Sequence, residues 1–193
     1  MKWMVLAAIA VLVVGGCSPG KTYERRLKKE LASGIRYDSL FMGISFGMTE
    51  SEFFDHCWKM NKDSLVRQGT ANMSVQLDLN EELKSPATMN FYPVFGDGKI
   101  VEMPVRFLYN GWAPWNKELS ADKLAIDVKH WYEDIYGSGF ITVTHPRRGE
   151  AYTKIDGNRR ITIYNENDLH VWAIFTDMLY AIENDSLRVA DQN

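Results

Sequence analysis

The chain has 193 residues, 46% of them apolar and 24% charged, with 22 basic and 25 acidic side chains for a formal net charge of −3. That apolar content is ordinary for a folded protein and the length is enough for one sizeable core, so disorder is not the default expectation. The charge is unevenly spread: loss of residues 1–16 would remove Lys2 and leave −4, residues 21–30 hold five basic against two acidic groups, and everything beyond residue 30 therefore carries −7; so acidic a body argues against a nucleic-acid partner.

Residues 1–17 open with Lys2, continue as an unbroken apolar run over 3–14, and end in Val14-Gly15-Gly16-Cys17. The run is short for a bilayer span and suits a secretory signal. The cysteine directly behind Gly-Gly resembles the lipobox of bacterial lipoproteins. The resemblance implies diacylation of Cys17 on sulfur, removal of residues 1–16 by a dedicated signal peptidase, and a mature chain starting at Cys17. The alternatives are an ordinary cleaved signal, or an N-terminal membrane anchor with an incidental cysteine. Lipidation places the protein in the bacterial cell envelope, with the outer membrane favoured and the domain facing the periplasm. No acidic run follows Cys17 to suggest surface export.

With Cys17 acylated, Cys57 is the only other cysteine and no intrachain disulfide is available. Its neighbours Phe53, Phe54 and Trp58 make a small buried hydrophobe the expected role. Residues 17–37 read as a lipid-anchored basic tether: good helix formers at 21–32, little apolar face and Gly34 as a stop make 21–32 a short polar helix or tether lifting the domain off the membrane. The basic groups suit an anionic membrane surface.

Residues 38–180 read as a single α+β domain. Thr49 and Glu52 form a capping box before a helix over 50–61, with Met48 placed to staple onto Phe53. Phe53, Phe54, Cys57, Trp58 and Asn61 are read as one core-facing aromatic side. His56 lies beside that side without a spaced partner. The run Gly47-Met48-Thr49-Glu50-Ser51-Glu52-Phe53 is similar to the helix opening of the SmpA/OmlA group of envelope assembly lipoproteins and of beta-lactamase-inhibitor-like modules. That resemblance implies helices packed on one face of an antiparallel sheet, and it carries no functional residue across.

Alternation over 75–79 predicts a strand, a second follows near 88–94, and Gly96-Asp97-Gly98 turns into a third over 99–109. Pro93 and Pro104 mark an edge or bulges. Residues 111–119 form a loop bearing Trp112, Pro114 and Trp115. Ser120 opens a second helix, whose core side is read as Leu124, Val128, Trp131 and Ile135 with Tyr132 beside them, and Gly137 stops it. Strands follow at 140–144, 151–155, 160–164 and 170–176, and 181–193 reads as a polar tail. The expected fold is one antiparallel sheet of about six or seven strands with two main helices on one face. The two halves, 38–110 and 116–180, repeat the order helix then strands, which makes duplication a hypothesis.

Phosphate loops, dinucleotide turns and nucleophile elbows are missing from the sequence. The four histidines, His56, His130, His145 and His170, lack partners at metal-ligand spacing, so no metal or cofactor is expected. Arg147-Arg148 and Arg159-Arg160 read as solvated turn charges. Trp112 and Trp115 are the candidate contact residues for a partner or ligand, against the alternative that both rings fold back as a lid on the core. The first reading is a non-enzymatic envelope lipoprotein that binds another envelope component as adaptor or inhibitor. The second is a small-ligand or glycan-binding lipoprotein using the Trp loop, and an enzyme with a scattered site ranks third.

Overall fold

The computed structural model describes residues 19–70, 74–145 and 149–184. Cys17, Arg147, Arg148 and the tail beyond residue 184 lie outside them. The alternating stretches build a nine-stranded antiparallel sheet: β1 (Arg67–Gln68), β2 (Val75–Leu79), β3 (Ala87–Phe91), β4 (Val94–Gly96), β5 (Lys99–Tyr109), β6 (Ile141–His145), β7 (Gly149–Asp156), β8 (Arg159–Asn165) and β9 (Val171–Asp177). Two of these, β1 and β4, are too short to leave a period in the sequence, and they raise the count above the expected six or seven. The strand order is β1-β2-β3-β5-β9-β8-β7-β6, with β4 beside the first part of β5. Two meanders, each preceded by one long helix, thus meet through their last strands, β5 and β9.

Turn chemistry sets the registers. Asp97 and Gly98 both have positive φ, 50° and 73°, the backbone of a tight hairpin between β4 and β5. Gly157 turns β7 into β8 with φ 52°, and a Cβ there would sit 2.2 Å from the Ile35 carbonyl oxygen, so only glycine lets the N-terminal segment cross this turn. Pro104 falls inside β5, where a missing N–H would normally break a ladder. On one flank of β5, however, β4 pairing ends at Glu102 and β3 pairing begins at Val105, so the proline occupies the gap between two partners.

The inner face of the sheet is apolar. Met103, Phe175 and Ile161 stand side by side across β5, β9 and β8, all fully buried. Helices α2 (Glu50–Lys62) and α3 (Ala121–Tyr136) cover this face and join one core with it. The capping box at α2 is present: the Thr49 hydroxyl accepts from the Glu52 N–H, and the Glu52 carboxylate accepts from the Thr49 N–H at 2.8 Å. Thr49→Ala is expected to cost about 1 kcal/mol, read as a lower urea midpoint. An unchanged midpoint would mean that the cap contributes nothing.

Helix α3 buries Leu124, Val128 and Tyr132, whereas Ile135 is exposed and Trp131 half-buried. Its core side is therefore rotated from the expected one. The Tyr109 hydroxyl donates to the buried Asp127 carboxylate on α3, which also accepts from the Lys84 N–H at 3.3 Å. This ties the β2–β3 loop over the helix. A short helix α4 (Met178–Glu183), capped by Asp177, follows β9 and buries Met178 and Ala181.

The basic stretch, expected as a short polar helix or tether lifting the domain off the membrane, is a helix, α1 (Pro19–Ala32), and it packs against β6 and β7 on the opposite, outer face. There it shields Ala151, Thr153 and Ile155, which the pairing register places on the side away from α2 and α3. Arg26 Nη1 donates to the Gly139 carbonyl at 2.8 Å, the Gly157 N–H donates to Glu30 at 3.1 Å, and Arg160 Nη1 donates to the Tyr23 hydroxyl at 3.1 Å. The chain then passes the β7–β8 turn and reaches the inner face at Leu40.

Arg159 is not the solvated turn charge the sequence suggests. It is buried on the inner face, donating to the Ser39 carbonyl at 2.6 Å and to Asp156 at 3.3 Å, with the Tyr136 ring centre 4.6 Å from its guanidinium carbon. Lys154, also buried, donates to the other Asp156 oxygen at 2.6 Å. Arg160 is half-buried through its contact with α1. Burying two cations beside one carboxylate costs solvation that these hydrogen bonds offset.

Candidate partner-binding surface

The Trp loop follows β5, where the Asn110 N–H donates to the Pro86 carbonyl and a short 3-10 turn, Lys117–Leu119, leads into α3. The two indoles separate. Trp112 packs against the core, and its Nε1–H donates to the Asp168 carbonyl in the β8–β9 turn at 3.1 Å. Trp115 is 84% exposed. The lid reading describes Trp112 and the contact reading describes Trp115, so the loop does not offer two rings to one ligand.

A second aromatic surface lies on α2. Consecutive helical residues are turned by about 100°, so Phe53 and Phe54 cannot face the same way. Phe53, Cys57 and Met60 point into the core, with Phe53 fully buried against Tyr92 and Phe95 at ring distances of 5.9 and 6.2 Å. Phe54 and Trp58, one turn apart, point outward with exposures of 44% and 67%. The expectation that all the α2 aromatics enter the core is corrected. The signal that distinguishes the sides is Met60, which extends the Phe53–Cys57 line, while the Phe54–Trp58 line runs out into Asn61 and Lys62.

The outward pair is shaped by its neighbours. The Phe54 ring lies 6.4 Å from the half-buried Tyr92 ring, and Lys62 Nζ sits 5.7 Å over the Trp58 ring. Burial of the Tyr92 hydroxyl, with the Glu50 charge nearby, raises its pKa, so the phenol stays neutral and able to donate. The result is an aromatic ridge with one cation above it and Asp55 on its flank, able to bury apolar area and accept cation–π contacts.

Cys57 lies behind this ridge, and burial pushes its thiol up to about 11. It is therefore protonated near neutrality and a poor nucleophile, as a core residue should be. His56 has no catalytic partner: its Nε2 is 2.7 Å from the Met42 carbonyl oxygen, which can only accept, so that nitrogen carries the proton. It helps line an open depression of about 560 Å³ with Ser45, Met48, Glu52, Asp55 and Lys59. Glu52 there is committed to the helix cap and His56 to the backbone.

His170 gains companions through the fold. Arg106 Nε donates to Glu166 at 2.8 Å, and the Arg106 guanidinium lies 3.1 Å from His170 Nδ1. Burial, then the Arg106 charge, lowers the His170 pKa, so the imidazole is neutral at pH 7 and accepts from the arginine. This arrangement locks the β8–β9 turn. Among the described residues, no three His, Cys, Asp or Glu side chains converge as a metal-binding group, and no helix is long and apolar enough to cross a membrane. No protein-family model matches the chain, and neither curated proteins nor solved structures give a significant match.

Proposed function

We propose that this chain is a lipid-anchored protein of the bacterial envelope that binds another envelope component as an adaptor or inhibitor and catalyses no reaction. The observation that carries the binding reading is the outward pair Phe54 and Trp58, 44% and 67% exposed on a helix whose other side is sealed in the core. Large aromatics kept in water on a rigid element are what interfaces use as anchors. The lipobox-like ending Gly15-Gly16-Cys17 supports the anchoring. A crosslinker placed at the exposed position 55, which leaves both rings in place, tests the binding in intact cells, because a specific partner gives one discrete adduct and a bare surface gives a smear.

Anchoring has its own test. Intact mass of the protein extracted from membranes is expected to show acyl chains on an N-terminal Cys17. Cys17→Ala is expected to lose them and leave the membrane fraction once residues 1–16 are removed. A Cys17→Ala chain cut at the same site that stays membrane-bound in high salt, where contacts made by basic side chains alone are released, would contradict the anchor. Trp115, 84% exposed, favours a second reading as a small-ligand or glycan-binding lipoprotein. With Trp112 tied to Asp168, that reading rests on a single ring, and loss of glycan binding in Trp115→Ala would favour it.

A further inference from the structure

Helix α1 has two unlike sides. Tyr23, Arg26, Leu27, Glu30 and Leu31 are half-buried toward the sheet. Lys21, Glu24, Arg25, Lys28 and Lys29, spaced i, i+3, i+4, i+7 and i+8, all face outward and exposed, four cations against one anion. The helix is fixed to the domain through Arg26, Glu30 and Tyr23, with partners more than a hundred residues away in sequence. It begins at Pro19, two residues after Cys17. Two residues span at most about 7 Å, so an acyl chain on Cys17 brings the start of this helix to the headgroup layer.

We infer that the outward cationic side of α1 is a docking surface for an anionic phospholipid membrane, which holds the domain close to the bilayer in one orientation. This rests on the lipid anchor proposed above. The occupant follows from charge and connectivity: a +3 stripe begins four residues after the anchoring position, on a chain whose remainder is acidic. Basic side chains next to a lipid anchor strengthen binding to anionic surfaces, and the acidic body is repelled from them. The sheet lies between α1 on its outer face and α2 and α3 on its inner face. Seating α1 on the membrane therefore turns α2, with Phe54 and Trp58, away from the lipid and toward the compartment. A flexible tether would leave that orientation unset.

The test uses the full chain as processed and lipidated by cells, reconstituted in phosphatidylcholine vesicles with or without phosphatidylglycerol. Amine acetylation read by peptide mass gives a rate at each lysine. Lys21, Lys28 and Lys29 are expected to react severalfold more slowly on the anionic vesicles at low salt, and high salt should restore them. Lys62 on α2 and Lys123 on α3 should react alike on both. Lys28→Glu with Lys29→Glu should abolish the difference at the remaining Lys21 without moving the melting temperature, since both side chains are exposed. Equal rates on the two vesicle types, with the protein floating on both, would overturn this proposal and leave the anchor standing. A chain that floats with neither overturns both, and one that floats only with anionic vesicles, released by salt, rejects the anchor while supporting the α1 contact.

Discussion

Phe53→Ala is expected to destabilise the domain by about 3–5 kcal/mol, while Trp58→Ala, on the same helix, changes stability by no more than about 1 kcal/mol. The Phe53 ring is fully buried, in contact with Tyr92 and Phe95, so truncation leaves a cavity in the common core of α2 and the sheet. The larger Trp58 ring is 67% exposed and has a single cation above it. An exposed cation–π contact contributes about 0.5–1 kcal/mol at most, and a ring that stays mostly in water on folding adds little burial to it. Urea denaturation of the two variants beside the parent protein reads both values. A Trp58→Ala loss as large as that of Phe53→Ala would mean that α2 presents its other side to the core.

The elements themselves were legible. Strict alternation marks 75–79, hairpin glycines frame 99–109, and the Thr49–Glu52 box starts α2 where the structure has it, because each of these signals is local. What the sequence concealed depends on residues far apart in the chain. Arg159 reads as a turn charge until Ser39, Tyr136 and Asp156 close around it. Helix α1 reads as free because its buried side mixes Tyr23, Leu27 and Leu31 with Arg26 and Glu30, whose partners are supplied by Gly139 and Gly157. Trp58 misleads for a different reason: aromatic residues on adjacent lines of a helix look like one wide core side. The Trp loop divides the same way, since only Trp112 has a carbonyl, that of Asp168, within reach of its indole N–H.

The second large effect is on binding. Phe54→Ala with Trp58→Ala is expected to weaken the envelope partner by about 2 kcal/mol or more, roughly thirtyfold, because outward aromatics that become buried at an interface are its usual anchors. Stability should hold, since the exposed ridge contributes little to the core.

The most direct measurement of the account is therefore crosslinking in intact cells, with the photoreactive group at position 55, between the two ridge residues in sequence. It is run on the parent chain, on the Phe54→Ala, Trp58→Ala double variant, and on Trp115→Ala, with a thermal melt of each protein. The account predicts one discrete adduct for the parent and for Trp115→Ala, its loss in the double variant, and three similar melting temperatures. An adduct that survives the double change in a folded protein, or one that disappears with Trp115→Ala alone, would contradict the assignment of α2 as the binding surface.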